Sequence, residues 1–116
     1  MTPETTATSE KTMTCRQLTE TFLRLYTDLP ETPDRPRPAD RTLATNWALE
    51  GLDYQLVKGA LALAAARRLY RSPDLPPLQP IRSLHYFIHV IEEVKREPLD
   101  PEYLEYLEIK LRSACP

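Results

Sequence analysis

The stretch Tyr54-Gln-Leu-Val-Lys-Gly-Ala-Leu-Ala-Leu-Ala-Ala-Ala-Arg-Arg-Leu-Tyr-Arg71 decides the fold of this chain. Leu56, Val57, Ala60, Leu61, Leu63, Ala64 and Ala65 recur on a helical period and cover much of the circumference. A helix that is apolar nearly all round has to sit among other helices. Its alanines let those neighbours approach closely. Asp53 is a suitable N-cap, and the helix is expected to run to about Arg71.

On either side the sequence reads as shorter, one-faced helices. Upstream, Pro38 suits the first turn of a helix carrying Leu43, Ala44, Trp47 and Ala48 on one face, with Gly51 just past its end. The short connection through Gly51 and Leu52 implies an αα-hairpin or a helix-turn-helix corner. Nearer the start, Thr14 can cap a helix from about Cys15 to Asp28. Its inner face would be Leu18, Phe22, Leu25 and Leu29, with Glu20 and Arg24 as an outer i,i+4 pair. Downstream, a helix from about Ile81 to Arg96 would turn Leu84, Phe87, Ile88, Ile91 and Val94 inward before Pro98 stops it. Asp100 caps a fifth helix, with Pro101 at its first position and Leu104, Leu107 and Leu111 on one face.

Composition supports an all-α reading. Only two residues of 116 are glycine, whereas tight strand connections lean on glycine. That scarcity also excludes glycine-rich phosphate loops. Proline occurs twelve times, mostly clustered at residues 30–38 and 73–80, and so marks boundaries between elements. The expected architecture is a compact bundle of about five helices spanning residues 13–116. Two proline-rich linkers, 30–37 and 72–80, punctuate it. Residues 1–12 are polar and are expected to form a disordered tail.

The polar opening has no apolar core of a signal peptide, and no apolar run approaches the roughly 20 residues of a membrane span. A cytoplasmic protein with Cys15 and Cys115 reduced is the expectation. Net charge is −2, but it is unevenly spread. Residues 34–82 hold eight Lys/Arg against five Asp/Glu, and residues 83–116 hold four against seven. One basic and one acidic surface would follow.

Arg67, Arg68 and Arg71 close the central helix and Arg82 opens the next segment. Cations at a helix C-terminus favour its macrodipole, which is reason enough for them to be there. They could also form a phosphate-contacting patch, joined by Arg35, Arg37 and Arg41 if the first linker lies alongside. The C-terminal acids, among them Glu97, Glu102 and Glu105, read first as a solvated face and second as a docking surface for a basic partner. Tyr54, Tyr70, Tyr86, Tyr103 and Tyr106 suit the core edge, or base stacking. His85 and His89 stand one helical turn apart with Glu92 and Glu93 beyond. That spacing can reach one metal, yet it is not HExxH and lacks a firm third ligand, so no metal, cofactor or catalytic residue is assigned.

The segments Asp40-Arg-Thr-Leu-Ala-Thr-Asn-Trp-Ala-Leu-Glu-Gly, Tyr54-Gln-Leu-Val-Lys-Gly-Ala-Leu and Ile81-Arg-Ser-Leu-His-Tyr-Phe-Ile-His-Val-Ile-Glu-Glu-Val together resemble a known pattern. It is that of the small helical domain of DnaD-like and of phage and plasmid replication proteins. The linker 72–80 is longer than in that pattern. The whole chain also looks like small proteins carried near bacterial mobile elements. The DnaD-like resemblance implies single-stranded DNA or partner contacts through Tyr86, Phe87 and Ile88. Periodicity buries the last two and leaves Tyr86 at the surface. The reading that follows is a non-enzymatic DNA-associated accessory or adaptor protein acting through Arg67, Arg68, Arg71, Arg82 and Tyr86. The alternative is a protein-interaction module or homodimer without nucleic acid. No membrane association or small-molecule substrate is expected.

Overall fold

A computed structural model describes residues 13–114, with side chains to Ser113. The expected tail, residues 1–12, and Cys115 lie outside the described residues. Five α-helices and one 3-10 turn make up the regular structure among the described residues, without strands. They are α1 (Cys15–Thr27), α2 (Pro38–Glu50), α3 (Tyr54–Leu69), the 3-10 turn (Leu84–Phe87), α4 (Ile88–Arg96) and α5 (Pro101–Ala114).

Local chemistry sets the boundaries. Thr14 forms a capping box: its hydroxyl accepts from the Gln17 N–H at 3.1 Å, and the Gln17 side chain accepts from the Thr14 N–H at 2.9 Å. Asp53 caps α3 by accepting from the Gln55 N–H at 3.0 Å. Asp100 does the same for α5 through the Glu102 N–H at 3.1 Å. Helix α2 ends at Gly51, whose φ of 84° is left-handed. There the Gly51 N–H donates to Ala48 O and the Leu52 N–H to Trp47 O, both at 3.1 Å, which is a Schellman closure. Leu52 is buried beside it.

The core is organised around α3. Leu61 to Ala66 are all buried, and six consecutive residues exceed one helical turn, so the helix is covered on every side. It packs against α1, α4, α5 and the 3-10 turn. Edge-to-face aromatic pairs tie the remainder together: Phe22 of α1 with Trp47 of α2 at 6.3 Å, and Tyr26 with Phe87 of the 3-10 turn at 6.0 Å. Helix α5 seats Leu107 and Leu111 on α3 and turns Tyr103, Tyr106 and Ile109 outward.

Three expectations change. The segment from Ile81 does not enter an α-helix directly. Residues 81–83 are not helical, with Ser83 extended, 84–87 form the 3-10 turn, and only 88–96 are α-helical. The tighter turn rotates the inner face, so Val90 is buried while Ile88 is exposed. The inner stripe of α1 is Thr19, Phe22, Leu23 and Tyr26, with Leu18, Leu25 and Leu29 at its margins. Tyr26 displaces the leucines because its ring packs on Phe87. Glu20 pairs with Arg41 of α2 rather than with Arg24, since α1 and α2 pack side by side. No helix among the described residues is long and apolar enough to cross a membrane.

Candidate functional site

The C-terminal end of α3 is a fastening point from which successive side chains reach different elements. Arg67 makes a two-pronged pair with Glu93 of α4, at 2.9 and 2.6 Å. Tyr70 donates its hydroxyl to Lys110 O of α5 at 3.1 Å, and the Lys110 ammonium lies 4.6 Å from its ring centre. Arg71 donates to the carbonyl of Pro76.

Arg68 reaches furthest. Its side chain is only 6% exposed. It donates to Glu31 Oε1 at 2.6 Å, to Gln79 O at 2.8 Å and to the Tyr86 hydroxyl at 3.2 Å. Its guanidinium also lies 5.4 Å from the Tyr86 ring centre. Burial works against its charge, and the partners Glu31 and Tyr86 outweigh that, so its pKa is raised. One side chain therefore joins α3, the first linker, the second linker and the 3-10 turn.

Glu31 answers from the first linker. Its φ is 65°, unusual for a residue with a Cβ. In that conformation its carbonyl accepts from the Ile81 N–H at 3.1 Å while its carboxylate meets Arg68. The first linker is thus tied both to the end of the second linker and to α3. On the other flank, Asp40 is 1% exposed. It accepts from the Arg37 N–H at 2.9 Å and, from the far segment, from the Leu84 N–H at 2.9 Å and the Ser83 hydroxyl at 3.3 Å.

From the end of α3 to the Arg68 junction runs a strap, residues 72–80. Every residue of it is exposed, including Leu75 at 49% and Leu78 at 44%. Leu75, Pro77 and Leu78 line a groove of about 410 Å³ with Glu31, Arg68 and Arg71.

Of the sequence-selected arginines, Arg67, Arg68 and Arg71 converge on the end of α3 but are engaged within the chain. Arg82 is exposed and has no acidic partner among the described residues. Arg35 and Arg37 are likewise exposed, whereas Arg41 is held by Glu20. Tyr86 is 38% exposed, with its hydroxyl accepting from Arg68. Phe87 is fully buried; Ile88, exposed, departs from the expected core. His85 Nδ1 sits 2.9 Å from the Ser83 hydroxyl, and His89 packs edge-on to Tyr86. Glu93 and Glu92 are taken by Arg67 and Lys95. Among the described residues no three His, Cys, Asp or Glu side chains are grouped to hold a metal. Cys15 is exposed and unbridged.

Sequence reasoning found the arginines but not Glu31 and Gln79 as counterparts of Arg68, nor Asp40 as the acceptor for Ser83 and Leu84. An acid three residues into α2 is visible as a capping signal. Its second role, toward Ser83 and Leu84, is visible only in three dimensions. No protein-family model, curated protein or solved structure matches this chain. The likeness to DnaD-like domains therefore rests on the motifs quoted above.

Proposed function

We propose that this chain is a non-enzymatic adaptor whose working surface is the strap, offered to a protein partner. The observation that supports it is a pairing of opposites. The strap is exposed along its whole length with two half-exposed leucines, yet Arg68 of α3 and Arg71 just beyond it hold its carbonyls. A segment fixed in place before binding loses less entropy when a partner covers it. Its test is a photo-crosslinking amino acid at Leu75 in the cells the protein comes from. A defined protein adduct, weakened by Leu78→Ser, is expected. Adducts at Leu75 no more frequent than at the exposed Glu102 would defeat the reading.

A second reading, a DNA-associated accessory protein connected with replication or a mobile element, keeps its support at one place. Arg37 and Ser83 share the Asp40 carboxylate, which sets Arg37 and Arg82 on neighbouring segments without acidic partners among the described residues. Fluorescence anisotropy with single- and double-stranded oligonucleotides at low salt separates the two. Phosphate-driven binding would weaken steeply as salt rises and would drop in Arg37→Glu with Arg82→Glu. Absence of binding at low salt removes this second reading.

A further inference from the structure

The strap reads Pro76-Pro77-Leu78-Gln79-Pro80-Ile81-Arg82, a Pro-x-x-Pro spacing followed two residues on by a cation. Residues 76–83 contain no turn or bend, and three of the first five are proline, whose ring fixes φ near the polyproline II value. The fixed points show its repeat. Arg71 takes the carbonyl of Pro76 and Arg68 that of Gln79, three residues later. A polyproline II helix has three residues per turn, so both carbonyls lie on one edge. The same period puts Leu78 and Ile81 on another edge. Ile81 is 3% exposed in the core, while Leu78 stands 44% exposed at the groove beside Arg68. Pro77 and Pro80, also three apart, occupy the remaining edge, and both are exposed, as is Arg82.

We infer that residues 76–82 are a preformed polyproline II ligand for a domain with an aromatic-walled groove and an acidic pocket beside it. Proline ridges dock between aromatic rings because they are rigid before binding, and a flanking cation fixes the direction in which the ligand lies. Most such ligands are unstructured chains that must be ordered on binding. Here the bundle already holds the segment at the Pro76 and Gln79 carbonyls and leaves Pro77 and Pro80 exposed. Arg82 has no acidic partner among the described residues, which leaves it available to a partner's carboxylates.

This inference rests on the adaptor reading and narrows it to a partner class. Its test uses the full chain, isotope-labelled, titrated with an SH3 domain that reads Pro-x-x-Pro-x-Arg and, separately, with a WW domain. Saturable amide shifts centred on Leu78, Gln79, Ile81 and Arg82 are expected with the SH3 domain. They should weaken about tenfold or more in Pro80→Ala and in Arg82→Glu, whose side chains are exposed, leaving the fold intact. No saturable shift, or equal binding by both variants, overturns the inference. So does a response to the WW domain alone, because the cation would then have no role. The crosslinked partner from the Leu75 experiment distinguishes the two levels. If its capture needs Leu75 and Leu78 but survives Pro80→Ala and Arg82→Glu, the adaptor reading stands and the polyproline inference falls.

Discussion

Asp40 and Arg68 hold the two ends of the stretch between Gln79 and Leu84, and they do it differently. The Asp40 junction is a carboxylate sunk into the protein, accepting two backbone N–H groups and one hydroxyl. It closes the join between α2 and the 3-10 turn. The Arg68 junction is a guanidinium with several donors, gathering a carbonyl, a carboxylate and a phenol from three segments. One of its acceptors belongs to the exposed strap, and Glu31 remains half in solvent. A buried acceptor of backbone N–H groups secures the fold. A buried donor that collects loops positions a surface. If that contrast is right, the two residues should differ in how far their loss spreads.

The largest effect is expected at Asp40. Asp40→Ala leaves the Leu84 N–H buried without a partner and removes the cap of α2. Together these should cost about 3 kcal/mol, read from urea unfolding. Asp40→Asn keeps one acceptor oxygen and should cost less. Equal losses for both variants would mean that packing, not hydrogen bonding, makes the junction. Next comes Arg68→Ala, expected to cost about 2 kcal/mol through lost bonds and lost stem packing. Its distinguishing sign is local. Amide exchange should quicken at Leu78, Gln79 and Ile81 while the α1–α3 core keeps its protection. Arg68→Lys should behave nearly as badly, because a point charge cannot span three acceptors. Core-wide loss of protection in either Arg68 variant would erase the distinction between the two junctions.

A smaller effect is expected at Tyr26, which lies next to the Asp40 side. Its hydroxyl is buried with no hydrogen-bond partner among the described residues. Burial, with the Asp40 charge nearby, pushes its pKa up to about 12. A folded pKa above the unfolded one near 10 stabilises the protein fully below pH 10. That contribution is lost as pH rises toward 12. Tyr26→Phe keeps the ring against Phe87, removes the unpaired hydroxyl and should gain about 1 kcal/mol at neutral pH. It should also flatten the alkaline decline. A stability loss in Tyr26→Phe would show that the hydroxyl has a partner after all.

Most of the fold was legible because its determinants are local. The α3 run, the Thr14, Asp53 and Asp100 caps, Gly51 and the prolines each act within a few residues of themselves. What was not legible depends on pairs distant in sequence. The 3-10 entry at Leu84 is set by Asp40, 44 residues earlier. That is why Ile88 was placed in the core and found at the surface. The inward turn of Arg68 depends on Glu31, whose left-handed backbone no propensity favours. The arginine cluster, expected as a phosphate-contacting patch, instead meets other segments of the chain. Its side chains read as surface charge because their acceptors, two of them backbone carbonyls, carry no sequence signature.

The smallest expected effect is at Arg67, and it tests the contrast from the opposite end. The Arg67–Glu93 pair has good two-pronged geometry, but both side chains are substantially exposed, at 52% and 39%. Exposed pairs are screened by solvent and salt and stabilise little. Arg67→Ala should therefore leave the melting temperature unchanged at moderate salt. What it should change is the titration of Glu93. The Arg67 hydrogen bond, against some desolvation, holds that carboxyl below its ordinary range. A depressed folded pKa means that whatever the pair contributes is present above the unfolded value and is lost as pH falls through the folded one. Removing Arg67 should raise the Glu93 midpoint, measured by carboxyl-carbon NMR, and leave Arg68 and the strap undisturbed. A marked drop in melting temperature would make Arg67 a third structural pin. The end of α3 would then be a single cooperative cluster, with no separation between the residues that hold the fold and the one that sets the strap.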